Sequence, residues 1–281
     1  MKIKLRAKPS PNWIAYMLRA LQMLILAALL LPGPSGAPAA AAAADAGENL
    51  QYRVGLGFWK EVGRVRLTLK TLGPGHYLAE FAGAAQGVWQ VAGNFLPERY
   101  QTEMICRQGR LQPLVYREEF HKKGERVIRE YRFDYRQNRL ELWRQAGDRP
   151  LVKRWELPLP EPVYDILSLC YNLRLGVFGT LAGGETVRVA AVPTPEPSEL
   201  ILRLGPQTAA GRKAMLTVKG AAGESEPYYI FFTPEWVPNL AWVRVWGFGK
   251  LTGRLLDRRA IVKEGLLALP ATPGKLAEQA Q

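Results

Sequence analysis

The chain has 281 residues, 48% of them hydrophobic, enough for one large or two ordinary folded domains and too apolar for a disordered polymer. Lys and Arg number 38 against 25 Asp and Glu, a formal charge of +13; the first 44 residues hold Lys2, Lys4, Arg6, Lys8 and Arg19 and no acid, so 33 cations face 25 acids in the remainder, a balance of +8. Two His and two Cys are too few for a multi-cysteine zinc site, an iron–sulfur cluster or a disulfide scaffold, so neither metal nor cofactor is expected.

In chain order, the basic start is followed by an apolar run from Ala20 to Leu31 and an alanine-rich stretch from Ala37 to Ala44. Charged segment, short apolar helix and small residues at a cut are the order of a secretory signal peptide. Residues 1–44 are therefore expected as a signal, with export to the periplasm or envelope and a mature chain starting near Asp45. The alternative is an N-terminal membrane anchor over Trp13 to Leu31, which has about the spanning length of 20 residues but carries Arg19 within it, at about 3 kcal/mol. An exported basic chain rarely meets nucleic acid. Anionic membrane surfaces, acidic glycans or plain water are left to face its cations.

From Arg64 to Lys70 the sequence alternates, with Val65, Leu67 and Leu69 on one face and Arg64, Arg66, Thr68 and Lys70 on the other, the pattern of a half-buried strand. Val127, Tyr131, Phe133 and Tyr135 form a second dry row, broken by Arg129. Similar stretches lie around Tyr52 and over Tyr77 to Phe81, Tyr100 to Cys106, Leu114 to Phe120, Leu140 to Trp143, Val187 to Val192 and Leu200 to Leu204. Gly73-Pro74-Gly75, Gly147-Asp148 and Gly183-Gly184 are turn signals at the spacing of an antiparallel meander. Gln86 to Phe95 fits either a strand or a short helix.

Midway along the mature chain, Asp165 is a good N-cap, Ile166, Leu169, Cys170 and Leu173 share a helical face, Arg174 suits the C-terminal dipole and Gly176 is a stop. This predicts a short amphipathic helix over about 166–175, lying against the sheet and shared by the strands on either side in a single domain. The closing stretches Tyr228 to Phe232 and Leu240 to Trp246 are apolar on both faces: Tyr228, Ile230 and Phe232 oppose Tyr229 and Phe231, and Trp242 and Trp246 oppose Ala241, Val243 and Val245. Either the helix covers the second side or the sheet curls into a cup with an apolar lining. From Asp257 onward the chain reads as a flexible tail, which bounds the β-rich domain at 45–256.

Catalytic motifs are not evident. His76 and His121 stand in no metal-binding spacing, Ser168 lacks a G-x-S-x-G elbow, and Glu118-Glu119 point to opposite faces of a strand. Cys106 and Cys170 fit either a bridge or two small buried hydrophobes.

The segment Asp165-Ile166-Leu167-Ser168-Leu169-Cys170-Tyr171-Asn172-Leu173-Arg174 resembles the D-x-L-S-x-x-Y-x-L-R motif of an exported bacterial family, domain of unknown function 3108. Gly63-Arg64-Val65, Pro113-Leu114-Val115-Tyr116 and the run from Tyr229 through Pro238 to Gly249 and Leu255 agree with it in order, over about Leu50 to Leu256. The resemblance implies an exported, mostly antiparallel architecture, similar in outline to the curved half-barrels that hold lipid or acyl chains in the periplasm. The expected fold is thus mainly β, a curved antiparallel sheet or half-barrel with one short helix. The expected function is non-enzymatic: a concave apolar face holding a lipid-like or other hydrophobic ligand, lined by Tyr171, Trp242 and Trp246, with Arg174 meeting an anionic headgroup. In the plainer reading, Arg174 pairs with a carboxylate or the helix C-terminus and the aromatics are core. The alternative function is an envelope structural or interaction protein that grips a protein or glycan by its exposed strands.

Overall fold

The alternating stretches become strands that pair with their neighbours in sequence. β1 (Gly47–Leu56), β2 (Trp59–Gly73), β3 (His76–Ala85), β4 (Glu98–Arg107), β5 (Arg110–Lys122), β6 (Glu125–Asp134), β7 (Arg139–Ala146) and β8 (Val152–Pro158) form an antiparallel meander. β9 (Val163–Tyr164) leads into the helix α1 (Ile166–Arg174), followed by β10 (Thr186–Ala191), β11 (Ser198–Thr208), β12 (Gly211–Gly220), β13 (Gly223–Glu224), β14 (Tyr228–Phe232), β15 (Pro238–Val245) and β16 (Gly249–Ile261). β16 pairs with β1, which joins the two halves into one sheet of order β8-β7-β6-β5-β4-β3-β2-β1-β16-β15-β14-β12-β11-β10-β9, with β13 attached to β12. The described residues are mainly β, with one short helix among them.

This computed structural model describes residues 47–86, 98–122, 124–159, 162–179, 183–192, 198–209, 211–220, 223–233, 238–245 and 249–261. The expected signal or anchor, the ambiguous stretch as far as Phe95 except Gln86, and Trp246 lie outside those residues.

One face of the sheet is apolar across its whole width because register aligns the dry rows. Leu50, Leu67, Phe81 and Tyr100 stand opposite one another on β1 to β4, and Leu204, Ala214, Ile230, Ala241, Gly253 and Val54 do so from β11 through β16 to β1. β-Bulges, among them those at Gln51/Tyr52, Glu103/Met104 and Leu204/Gln207, add bend and twist. β9 and β10 are parallel, a pairing that needs a crossover, and α1 is that crossover.

The helix is not the one-sided element its pattern suggests. Every residue from Ile166 to Leu173 is buried, and together with the inner faces of the strands they make one hydrophobic cluster. A helix buried all round needs its polar side chains satisfied internally. α1 lies on the inner side, packed against β3, β4 and β5 next to β9.

One boundary also differs from the sequence reading. β16 runs through Asp257 to Ile261, past the expected end at 256, because β1 offers antiparallel partners as far back as Gly47. At Gly211 the backbone has φ of 115°, and a side chain there would collide with the Phe232 carbonyl, so the β11–β12 turn requires glycine.

Candidate functional site

Asp165 occupies the N-cap with its Oδ1 accepting from the Leu167 N–H at 2.8 Å and the Ser168 N–H at 3.1 Å, and Ser168 completes a capping box. The same Oδ1 accepts from the Thr102 hydroxyl of β4 at 2.6 Å, which ties the helix start to the sheet. Asp165 Oδ2 has no hydrogen-bond partner among the described residues, and burial raises the pKa of this carboxyl above its ordinary value. Two turns on, Asn172 accepts from the Leu111 N–H at 2.8 Å and donates to the Leu111 carbonyl at 2.7 Å, behaving as an extra strand residue for β5.

At the other end, Arg174 forms a two-pronged pair with Glu48 of β1, Nη1–Oε2 2.5 Å and Nη2–Oε1 2.7 Å, with side-chain exposures of 11% and 5%. The Tyr171 hydroxyl donates to Glu48 at 3.4 Å and its ring lies 5.5 Å from the guanidinium. A second inward pair, Arg129 with Glu118 at 3.4 Å, explains why Arg129 interrupts the dry row of β6. The D-x-L-S-x-x-Y-x-L-R segment is thus a docking device that clamps α1 into the sheet at three points.

The candidate residues that are described fall on different faces of the sheet. Arg174 is turned inward onto Glu48 rather than toward a headgroup, and Tyr171 is packed beneath it. Trp242 is on the outer face, since its neighbours Ala241 and Val243 fill the inner one. Neither the helix nor an apolar cup covers it. Sequence reading missed Glu48, Thr102 and Asn172 as partners. Glu48 did leave a signal, for it shares strand parity with Leu50, Tyr52 and Val54, and an acid on a dry row calls for a buried cation.

The outer face holds the other assembly of functional groups. Met215, Tyr229, Trp242 and Thr252 stand opposite one another on β12, β14, β15 and β16, and Lys213, Phe231, Leu240, Arg254 and Arg53 form the adjacent row from β12 to β1. The Tyr229 and Trp242 rings stack with centroids 4.2 Å apart. Lys250 Nζ lies 4.4 Å from the Trp242 ring and Lys213 Nζ 4.8 Å from that of Tyr229, so the ammonium groups rest on aromatic faces. At the end of this face the β1–β2 turn presents Phe58 (79% exposed) and Trp59, held next to Lys250 by the Gly57 N–H to Lys250 carbonyl bond of 2.8 Å.

Charge is segregated between the two halves of this outer face. On β3 to β8, acids neutralise the cations in pairs such as Arg99–Glu80 at 2.5 Å, Arg126–Glu119 at 2.7 Å, Arg132–Glu130 at 2.7 Å and Lys153–Glu141 at 3.3 Å. On β12, β14, β15, β16 and β1 the described outward side chains include Lys213, Arg244, Lys250, Arg254 and Arg53 and no acid, while Lys219 of β12 stands opposite Glu224 of β13; Glu48 points inward. None of those five cations has an ion-pair partner among the described residues. Like charges face each other directly at Arg53–Arg254 and Arg244–Lys250, an arrangement that weakens a sheet by itself.

Two depressions lined by described residues lie on the outer face. One, of about 510 Å³, has a floor of Ala82, Gly83 and Ala84 beside Arg64, Arg66 and Arg99; the other, of about 330 Å³, is bordered by Arg132, Arg136 and Arg139. Neither is lined by Tyr171, Arg174 or Trp242. Cys106 and Cys170 are free thiols, and burial raises both pKa values above the ordinary thiol range. His76 bonds Glu103 at 2.8 Å, and no group of three His, Cys, Asp or Glu among the described residues could hold a metal ion.

Fold and site define a class: an antiparallel sheet built around its own clamped helix, with a cationic, aromatic stripe on its outside. The chain belongs to the family described as protein of unknown function (DUF3108), whose family model matches residues 51–201. That match contains α1 with Thr102, Leu111, Asn172 and Arg174, and ends in β11, short of the outer stripe on β12 to β16. The chain is also similar to a solved structure described as a beta-barrel-like protein of domain of unknown function DUF1849 from Brucella abortus, with 10% identity, 76% of this chain and 97% of that chain covered, and a TM-score of 0.46. No curated protein matches the sequence.

Proposed function

We propose that the protein is an exported, non-enzymatic component of the cell envelope that docks by its outer stripe onto an anionic phospholipid surface. The observation that carries this reading is that Lys213, Arg244, Lys250, Arg254 and Arg53 have no ion-pair partner among the described residues and stand beside half-buried Tyr229, Phe231 and Trp242 and the protruding Phe58. Amphipathic rings suit the headgroup level of a bilayer, and lysine and arginine suit its negative surface potential. α1 packs against β3, β4 and β5 inside the hydrophobic cluster, and the outer stripe is exposed to a partner. The N-terminal segment, with the order of a signal, supplies the route out of the cytosol.

Co-sedimentation with vesicles of phosphatidylglycerol and phosphatidylcholine tests this. The wild-type protein binds vesicles containing phosphatidylglycerol, less so as salt rises, and binds pure phosphatidylcholine far more weakly. At about 1 kcal/mol per surface cation, replacing Lys213, Lys250 and Arg254 together by Gln lowers partitioning roughly a hundredfold. Phe58→Asp weakens it further. Because residues 1–46 are the same in all variants, the differences report on the outer face alone. Equal partitioning of the triple variant and the wild type would refute the proposal and return the stripe to a protein or glycan partner.

A further inference from the structure

β8 is an end strand of the sheet, paired with β7 alone among the described residues, and it is exposed from Val152 to Pro158 except at Trp155. Such an edge presents unpaired backbone groups and pairs with other strands unless something blocks it. Its sequence, Val152-Lys153-Arg154-Trp155-Glu156-Leu157, reads as complementary to itself when reversed: apolar end to apolar end, cation to acid.

The structure makes that complementarity usable. A bulge opposite Leu142/Trp143 leaves Arg154 as an extra residue, so Lys153 pairs with Trp143 while Trp155 pairs with Leu142. As a result Lys153 and Glu156, three apart, share the outer face, where they bond each other at 2.8 Å and Lys153 also reaches Glu141 at 3.3 Å. Val152 and Leu157 share the opposite face and stand 39% and 37% exposed, two of the few large hydrophobic side chains left in solvent among the described residues. In a regular strand, positions three apart would fall on opposite faces.

We infer that β8 is a homodimer edge, and that a second copy of this chain adds its own β8 antiparallel to the first, about a two-fold axis. Arg154 then lies opposite the partner's Trp155, Lys153 opposite the partner's Glu156 on the outer face, and Val152 opposite the partner's Leu157 on the inner face. An edge lysine ordinarily repels strand addition; here the acid placed opposite it by symmetry turns it into a recognition element. A single strand pair lies at the small end of specific interfaces, so the dimer is weak and depends on concentration.

Sedimentation equilibrium of the full chain across a concentration series tests this. The wild type shows a reversible monomer–dimer equilibrium. Lys153→Glu and Glu156→Lys each place like charges opposite one another and sediment as monomers. An equal mixture of the two single variants restores the dimer, because the paired acids of the first variant then face the paired lysines of the second, and the double variant dimerises by itself. Leu157→Glu, at a solvent-exposed position, gives a monomer by a separate route if either reversal fails to fold. A wild type that stays monomeric throughout, single variants that dimerise as it does, or a mixture that stays monomeric overturns the inference.

Discussion

Glu48→Ala lowers the unfolding free energy by about 3–5 kcal/mol, the cost of leaving a buried guanidinium without its counter-charge. The size of the effect follows from the burial of the pair, with Arg174 and Glu48 side chains only 11% and 5% exposed, and from the loss of both prongs of the bond at once. A surface pair lost in the same way changes stability by a tenth to a fifth as much. Urea denaturation followed by tryptophan fluorescence measures this. The double substitution Glu48→Leu with Arg174→Met distinguishes pairing from packing: replacing both members by apolar side chains of similar length recovers most of the loss, since no desolvated charge remains. If the single substitution changes stability by less than about 1 kcal/mol, the pair is solvated in solution and the clamp at this end of α1 does not exist.

Asp165→Ala is expected to cost about 2–4 kcal/mol, because three donors, the Leu167 and Ser168 N–H groups and the Thr102 hydroxyl, lose one shared acceptor in a site without water access. Asp165→Asn keeps that acceptor and removes the charge. Its comparison with the wild type carries a defined pH signature. Burial raises the carboxyl pKa in the folded state above its unfolded value of about 3.9, so between the two values the folded chain holds a proton the unfolded chain has released. The contribution of Asp165 to stability is therefore fully present below about pH 3.9 and declines as pH rises through the folded value. Wild type and Asp165→Asn accordingly draw apart as pH rises above about 3.9, in favour of the Asn variant. Denaturation curves at a series of pH values check the slope. Parallel stability profiles would mean that Asp165 is solvated and that its Oδ2 finds water.

The legible parts of the fold share one property: they are local. Val65, Leu67 and Leu69 announce β2 because a strand turns its side chains over every residue, and Asp165, Arg174 and Gly176 mark the ends of α1 because a helix leaves its terminal groups to nearby residues. The helix motif also points to the family. Its meaning was less legible. Arg174, read as facing a headgroup, is held by Glu48, 126 positions away in sequence. Asn172, which carries no expectation in a helix, holds the backbone of Leu111, 61 positions away.

The two-faced apolar strands are a similar case. That Tyr229 and Trp242 lie opposite Ile230 and Ala241 was readable from alternation, but alternation does not say which row faces inward. Tertiary packing decided it: the inner side of β14 and β15 takes Tyr228, Ile230, Phe232, Ala241 and Val243 against the core, and the rings of Tyr229 and Trp242 stack outside beneath Lys213 and Lys250.

Composition, alternation and capping thus determined, with no help from contacts, that this is a basic, strand-rich chain with one short helix and no catalytic spacing. Tertiary structure decided that the helix is buried on the inner side, that its polar side chains are clamps, and that cations without an ion-pair partner among the described residues collect on one outer stripe. The reason is physical: backbone preference acts over a few residues, whereas desolvation and Coulombic pairing depend on which distant strands the sheet brings into register.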